Sequence, residues 1–166
     1  MKLVRALAVG AVAATFAVGC SDNDGTGSNG VTVEDLVGTW TATKLEFTNQ
    51  ANTDQHFDII SGALGSLTIT VTSNGSFSGT FAQCGLPSLC PEQDAAGTIA
   101  LSGNTGTLTF TAPAEFDEPI SGTFTLTTGD PDVLTLNATS GLEFDFSIIG
   151  GDPGEVPANL ELVMER

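Results

Sequence analysis

The chain lacks most of the side chains that enzyme chemistry uses. Its 166 residues include no tyrosine, one tryptophan, one histidine and three cysteines, and only 4 lysines and arginines against 20 aspartates and glutamates. With one histidine, His56, and no G-x-S-x-G sequence, the chain offers no nucleophile activated by a neighbouring base. One histidine also supplies too few ligands for a zinc site. One tryptophan and no tyrosine provide no aromatic girdle, which argues against a membrane-spanning barrel. We therefore expect no catalytic residue, no cofactor and no metal centre.

Two kinds of site would leave no clear mark in such a sequence. Paired carboxylates for glycoside cleavage can meet in space from distant positions. The acidic turns at Glu115–Glu118 and Asp130–Asp132 offer oxygen ligands of the kind that Ca²⁺ takes. We interpret both turns as solvated, and His56 as a solvated loop residue rather than a haem ligand.

The first twenty residues have the three parts of an export signal. Lys2 and Arg5 give a basic start, residues 6–18 form an uncharged run rich in Ala and Val, and Gly19 precedes Cys20. The apolar run is too short to cross a bilayer of about 30 Å. This stretch resembles the signal of bacterial lipoproteins, although alanine stands where the family usually has leucine three places before the cysteine. The resemblance implies that Cys20 is acylated, becomes the first residue of the mature chain, and anchors it in a membrane.

The residues after the cysteine indicate a tether and a location. Residues 21–30 contain no large apolar side chain, and such a composition behaves as a flexible linker. We predict a signal peptide over 1–19, an acylated cysteine and tether over 20–30, and one domain over 31–166. Within the resemblance, Ser21 implies sorting to the outer membrane, facing the periplasm or the cell surface. The alternative is an ordinary cleaved signal with an incidental cysteine.

The charge balance excludes one class of partner. The formal net charge is −16, and loss of the leader would leave two cations, Lys44 and Arg166, against 20 carboxylates, a net charge of −18. Nucleic acids are bound mainly by neutralising phosphates, so we expect no nucleic-acid partner. The acidic surface suits solubility, a cationic ligand or divalent ions.

Two cysteines remain in the predicted domain, Cys84 and Cys90, in the stretch CGLPSLC. An exported protein folds in an oxidising compartment, so we predict a disulfide between them. Closure of so short a loop would contribute about 2–3 kcal/mol in the chain-entropy model.

Apolar residues recur at every second position from residue 64 onward, which is the period of strands with one buried face. Gly- and Asn-containing turns such as Asn74–Gly75 separate the stretches. The stretch LEFDFSII is predicted as one strand with Leu142, Phe144, Phe146 and Ile148 on the same face. The sequential hairpins predict an all-β fold, an antiparallel up-and-down meander of about eight to nine strands that closes into a barrel without exposed edges. An immunoglobulin-like sandwich would need long crossovers, which this chain lacks.

The start of the domain resembles the lipocalin family. Gly38-Thr39-Trp40 opens the first strand after a short helical turn over Val33–Leu36, and lipocalins begin their first strand with G-x-W after a turn that plugs the barrel floor. The resemblance implies a lipocalin-like barrel with Trp40 at the closed end and the last strand, Asn159–Glu165, beside the first. In the family an arginine near the last strand packs over this tryptophan. Arg166, at the extreme terminus, gives no clear match to that position.

The resemblance also implies a cavity for a small hydrophobic molecule, with the long connection Asn49–Gly65 as a lid over its mouth. The predicted ligand-binding residues are Trp40, Phe57, Ile59 and Ile60. Shortening the connection should then weaken the binding of an apolar probe and leave the melting temperature nearly unchanged.

Alternation along the first strand does not decide which residues line the interior. Ala42 shares a side with Trp40, whereas Leu45 and Phe47 fall on the other side unless a bulge intervenes. Two hypotheses therefore stay open for a lipid-anchored envelope protein: a barrel that binds or carries a small hydrophobic molecule, and a structural or protein-interaction barrel with a filled core. An enzyme is a third, and the sequence does not indicate the oligomeric state.

Overall fold

The computed structural model describes residues 30–63, 65–82, 91–112, 118–139, 142–151 and 154–166. Within them lie two 3₁₀ turns, Glu34–Leu36 and Phe146–Ile149, and one short helix, α1 (Ile59–Gly62). The strands are β1 (Gly38–Asn49), β2 (His56–Asp58), β3 (Ser66–Val71), β4 (Ser76–Ala82), β5 (Glu92–Ser102), β6 (Thr105–Ala112), β7 (Ile120–Thr127), β8 (Val133–Ala138), β9 (Glu143–Asp145) and β10 (Glu155–Glu165).

Eight of these strands close into one antiparallel barrel. Their order is β1-β3-β4-β5-β6-β7-β8-β10, and β10 pairs back onto β1 from Thr41↔Glu165 to Asn49↔Ala158. The two short strands lie outside this ring of eight, with β2 paired to the end of β1 and β9 paired to the start of β10. The predicted fold class, an up-and-down antiparallel barrel, is confirmed.

The barrel has two unlike ends. At the Trp40 end, the 3₁₀ turn Glu34–Leu36 precedes β1, and short turns join β3 to β4, β5 to β6 and β7 to β8. At the loop end, where β1 finishes at Asn49, the longer connections lie, including β2 with α1 and β9 with the second 3₁₀ turn. The predicted mouth of the barrel would therefore lie at the loop end.

A β-bulge in β1 settles which side chains point inward. The register with β10 shifts between Ala42 and Lys44, so Thr43 is an extra residue and the alternation restarts after it. Leu45 and Phe47 are consequently buried, at 6% and 4% exposure. Lys44 points outward, and its Nζ lies 2.9 Å from a carboxylate oxygen of Glu46.

Inward-facing side chains from all eight barrel strands form one continuous apolar core. On β10 these are Leu160, Leu162 and Met164, each 2–3% exposed, and they share the core with Trp40. The predicted return of the last strand beside the first is confirmed. Threonines and serines occupy most outer positions of β3 to β7, where β-branched side chains suit a pleated, solvated surface.

The prediction of one continuous strand over LEFDFSII is wrong. Only Glu143–Asp145 is extended, and Phe146–Ile149 then forms a 3₁₀ turn that leaves Ile148 58% exposed. The Asp145 carboxylate accepts a hydrogen bond from the backbone N–H of Ser147 at 2.9 Å, which favours a turn over an extended strand. The turn ends at Gly150, whose φ of 78° suits glycine.

Several predictions fall on residues outside the described ranges. These are the signal peptide, the acylated Cys20 with most of its tether, the Cys84–Cys90 disulfide, and the acidic residues Glu115 and Asp117. Across the described ranges, no helix combines the length and the apolar character that crossing a membrane requires.

Candidate functional site

The floor of the barrel is built around Trp40, which is fully buried. Its indole N–H donates a 2.7 Å hydrogen bond to the backbone carbonyl of Leu36, in the preceding 3₁₀ turn. That turn is held by Thr32, whose backbone N–H and hydroxyl both donate to the Asp35 carboxylate, at 2.9 and 2.7 Å. These hydrogen bonds lower the pKa of Asp35. The floor is therefore a packed plug with its one buried indole N–H satisfied.

Arg166 covers the outer face of this floor, a contact that its terminal place in the sequence did not indicate. Its guanidinium carbon lies 4.5 Å from the centroid of the Trp40 ring, within cation–π range. The guanidinium donates to the carbonyl of Val37 at 2.7 Å and to the Asp132 carboxylate at 2.9 and 3.1 Å. The backbone N–H of Gly129, and then Arg166, lower the pKa of Asp132. Arg166 reaches Trp40 because β10 runs the full length of the barrel and ends at its floor. The position of Arg166 at the end of the sequence does not by itself indicate this contact.

Among the described residues, the space found inside the barrel is a small cavity of about 20 Å³. Its lining presents no polar surface. The lining residues are Leu45, Phe47, Leu67, Phe81, Leu108, Phe110, Ile120, Leu160 and Leu162. A space of this volume holds about one water-sized sphere, whereas small-molecule pockets span roughly 300–1,000 Å³.

A cluster of four phenylalanines lies at the loop end of the barrel. Phe144 of β9 stacks on Phe47 of β1 with ring centroids 4.5 Å apart, and it meets Phe57 of β2 at 6.2 Å. Phe146 contacts Phe144 edge to face at 4.9 Å and is fully buried. Two separate arms, one carrying β2 and one carrying β9, therefore meet over the barrel.

The arms share a local design that the sequence shows twice, as HFDIISG and EFDFSIIG. In each, a phenylalanine and an aspartate end a three-residue strand, and the aspartate caps a short helical turn that finishes at glycine. Asp58 accepts hydrogen bonds at 3.0 Å from the backbone N–H groups of Leu45 and Ile60, and one at 2.8 Å from the Ser61 hydroxyl. Burial raises the pKa of Asp58, but these hydrogen bonds outweigh it, so the pKa is lowered. The repeated Phe-Asp pair is therefore the sequence signal that could have predicted a short strand followed by a capped turn in both arms.

Asn49 fixes the start of the first arm. It is 2% exposed, and its side-chain amide donates to the Gln55 side chain at 2.8 Å. Its side-chain oxygen accepts from the backbone N–H groups of Ala51 and Asn52, at 2.8 and 3.3 Å. The connection thus leaves the barrel in a defined direction.

The four predicted ligand-binding residues do not form one site. Trp40 lies in the floor, whereas Phe57, Ile59 and Ile60 lie at the loop end. Ile59 is 3% exposed and belongs to the core, and Phe57 and Ile60 pack against it while partly exposed. The second half of the connection, with Phe57 and Ile59, is therefore part of the core, and deletions that reach it should lower the melting temperature, contrary to the sequence-based expectation.

A second concave region lies on the outer wall. It is an open groove of about 510 Å³ across β5, β6 and β7, without a charged lining residue. Its lining consists of Ala100, Leu101, Ser102, Thr105, Gly106, Thr107, Ser121, Gly122 and Thr123. Small hydroxyl-bearing side chains in open solvent offer few contacts that would hold a small molecule.

Metal-binding residues are sparse in the described ranges. No group of three or more His, Cys, Asp or Glu side chains within them is arranged to hold a metal ion. His56 is exposed on β2, at the loop end. Asp132, in one of the acidic turns, is paired with Arg166.

No protein-family model, curated protein or solved structure matches the chain. The fold is compatible with a lipocalin-like architecture, since eight antiparallel strands close in up-and-down order.

Proposed function

We propose that the chain is a lipid-anchored, lipocalin-like lipoprotein of the bacterial cell envelope, whose filled barrel acts through its outer surface. The single observation that carries the filled barrel is the interior cavity of about 20 Å³ among the described residues. A drug-sized molecule needs roughly fifteen times that volume or more. The contact of Arg166 with Trp40 supports the lipocalin-like assignment, because it reproduces the arginine and tryptophan pair of that family.

The anchor is supported by the sequence before Cys20, and the contacts of Gly30 and Val31 show which end of the barrel it would join. Gly30 lies against the backbone of Gly103, in the turn between β5 and β6, and Val31 packs against the core. The tether therefore enters at the Trp40 end. Ten residues extend to at most about 35 Å, so this end would lie nearest an anchoring membrane. The proposed location is the outer membrane, and we propose no catalytic role and no nucleic-acid partner.

The anchor is tested by replacing Cys20 with alanine. Without the cysteine, acylation and cleavage at residue 20 should both fail, so the chain should keep residues 1–19 and lose all acyl mass. Intact-mass measurement of the isolated protein checks this, with Ser21→Ala as the matched control that should be processed normally. A Cys20→Ala chain of mature size that still carries acyl groups would show that the anchor lies elsewhere.

The carrier hypothesis remains the second candidate, on one specific observation. The residual cavity is wholly apolar and lies under two arms, β2 with α1 and β9 with the 3₁₀ turn, that meet through Phe57 and Phe144. Separation of these arms would expose an apolar interior. Carriage would require the interior to enlarge from its present volume.

Titration of the wild-type protein with a fluorescent apolar probe separates the two candidates. A filled barrel predicts no saturable increase in fluorescence, because no volume is free for the probe. Saturable binding of one probe per chain would reject the filled barrel and support the carrier.

The variant Phe81→Ala shows whether volume or access limits binding. Phe81 lines the cavity and is 6% exposed, so truncation should enlarge the cavity at a cost of about 3–5 kcal/mol. Enlarged apolar cavities of about 150 Å³ bind benzene in other proteins. Benzene should therefore raise the melting temperature of Phe81→Ala and leave that of the wild type unchanged.

A further inference from the structure

Two adjacent isoleucines are exposed at the loop end. Ile148 is the most exposed large apolar side chain of the described residues, at 58%, and Ile149 beside it is 41% exposed. Val37, at 42%, is the other exposed large apolar side chain of the described residues, and it lies at the Trp40 end. Single exposed apolar residues are normal on protein surfaces, but contiguous ones mark contact sites more often.

The turn that carries the isoleucines is firmly held. Its first residue, Phe146, is fully buried and packs against Phe144. The backbone N–H of Gly151 donates to the carbonyl of Phe146 at 2.9 Å, and Asp145 caps the turn through Ser147. The exposure of the isoleucines is therefore a property of the folded turn.

Three carboxylates lie beside this turn on the outer face of the β9–β10 ribbon. Phe144 points into the aromatic cluster, so its neighbours Glu143 and Asp145 lie on the opposite, outer face. Asp145 is paired directly with Glu155 across the ribbon. Like charges directly opposite each other in a sheet repel, so this pairing concentrates negative charge beside the isoleucines.

The two cations of the described residues are already used elsewhere. Lys44 pairs with Glu46 and Glu161, at 2.9 and 2.6 Å, and Arg166 pairs with Asp132 at 2.9 Å. None of these salt bridges reaches the carboxylates beside the isoleucine turn. A partner that covers the isoleucines would therefore face negative charge that no salt bridge of the described residues offsets, and basic side chains on that partner would complement it.

We propose that Ile148 and Ile149, with Glu143, Asp145 and Glu155, form a docking surface for a protein with an apolar depression bordered by lysine or arginine. A second copy of the chain would bring the same carboxylates to the contact and be repelled. An anionic lipid surface is disfavoured for the same reason. This inference rests on the proposed function, in which the barrel acts through its outer surface.

The test uses the full chain in the cells that make it. The photo-crosslinking amino acid p-benzoylphenylalanine replaces Ser147. This residue is exposed and lies directly before the exposed Ile148. The matched control carries it at Thr80, which is exposed on the outer wall of β4. One protein should cross-link from position 147 and not from position 80, and mass spectrometry identifies it.

Binding measurements with the purified cross-linked protein then test the chemistry. Ile148→Ser combined with Ile149→Ser should weaken binding about 10- to 100-fold, because two partly exposed side chains lose their burial. Glu143→Gln combined with Glu155→Gln should weaken binding and reduce its dependence on salt. Substitution of two exposed β5 carboxylates, Glu92 and Asp94, by glutamine serves as the control and should leave affinity unchanged.

The proposal is overturned if position 147 cross-links to nothing, to lipid or to a second copy. It is also overturned if affinity withstands either the isoleucine or the carboxylate substitutions while the variants keep their melting temperatures. The two proposals fail separately. Binding of an apolar probe inside the wild-type barrel would reject the filled core, whereas a filled core without a cross-link would reject only the docking surface.

Discussion

Replacing Trp40 with alanine is expected to lower the free energy of unfolding by about 3–5 kcal/mol. The indole is fully buried, its N–H bonds to the carbonyl of Leu36, and the guanidinium of Arg166 covers it. Truncation would leave a large void in the floor and remove the partner of the 3₁₀ turn. Because native domains are stable by only about 5–15 kcal/mol, the variant should lose a large fraction of its stability.

Urea unfolding followed by circular dichroism measures this effect. Thr41→Ala, one position outside the core on the same strand, should change the free energy of unfolding by no more than about 0.5 kcal/mol. Trp40→Phe separates packing from hydrogen bonding, because it keeps an aromatic ring but frees the carbonyl of Leu36. A loss below about 1 kcal/mol for Trp40→Ala would show that the indole does not form the floor.

Deleting Glu46 from β1 is expected to unfold the barrel, or to destabilise it by at least about 3–5 kcal/mol. A one-residue shift moves every following side chain of a strand to the other face, so Phe47 and Asn49 would point outward. If the shortened strand instead paired without its bulge, Phe47 would again point inward. Lys44 would then be buried and Leu45 exposed. Neither arrangement keeps the core intact.

Deletion of Thr43 is the matched control. Thr43 is the extra residue of the bulge, so its removal regularises the pairing of β1 with β10 and leaves the inward side chains unchanged. We expect a loss of about 1 kcal/mol or less. Urea unfolding of both deletions checks the comparison, and equal damage from the two would disprove the assignment of Thr43 as the bulge.

The sequence predicts the barrel well because its strands alternate over long stretches. Leu67, Ile69 and Val71 on β3 are all buried, as the alternation requires. The same alternation misleads at Phe146 and Ile148, where the Asp145 carboxylate bonds the next turn and takes the chain out of the strand. Local side-chain hydrogen bonds thus override the period wherever a short polar residue can cap a turn.

The site could be predicted only in part. G-x-W correctly marks Trp40 as the floor, but Arg166 reaches it only because the barrel closes, which no local pattern shows. Whether the interior is open depends on how the side chains of eight strands fill a common volume. Alternation identifies the inward residues, among them Phe81 and Leu108. It does not predict the volume of the cavity that their side chains leave, which is about 20 Å³.

The most direct test of the filled barrel is to measure what the protein carries when it is isolated. The membrane-bound protein is cut by a protease within the tether, which releases the barrel domain without the acylated cysteine. The released domain is purified under native conditions, extracted with organic solvent and analysed by mass spectrometry. A filled barrel predicts no apolar molecule in stoichiometric amount. One apolar molecule per chain, released only on unfolding, would contradict it and identify the cargo of a carrier.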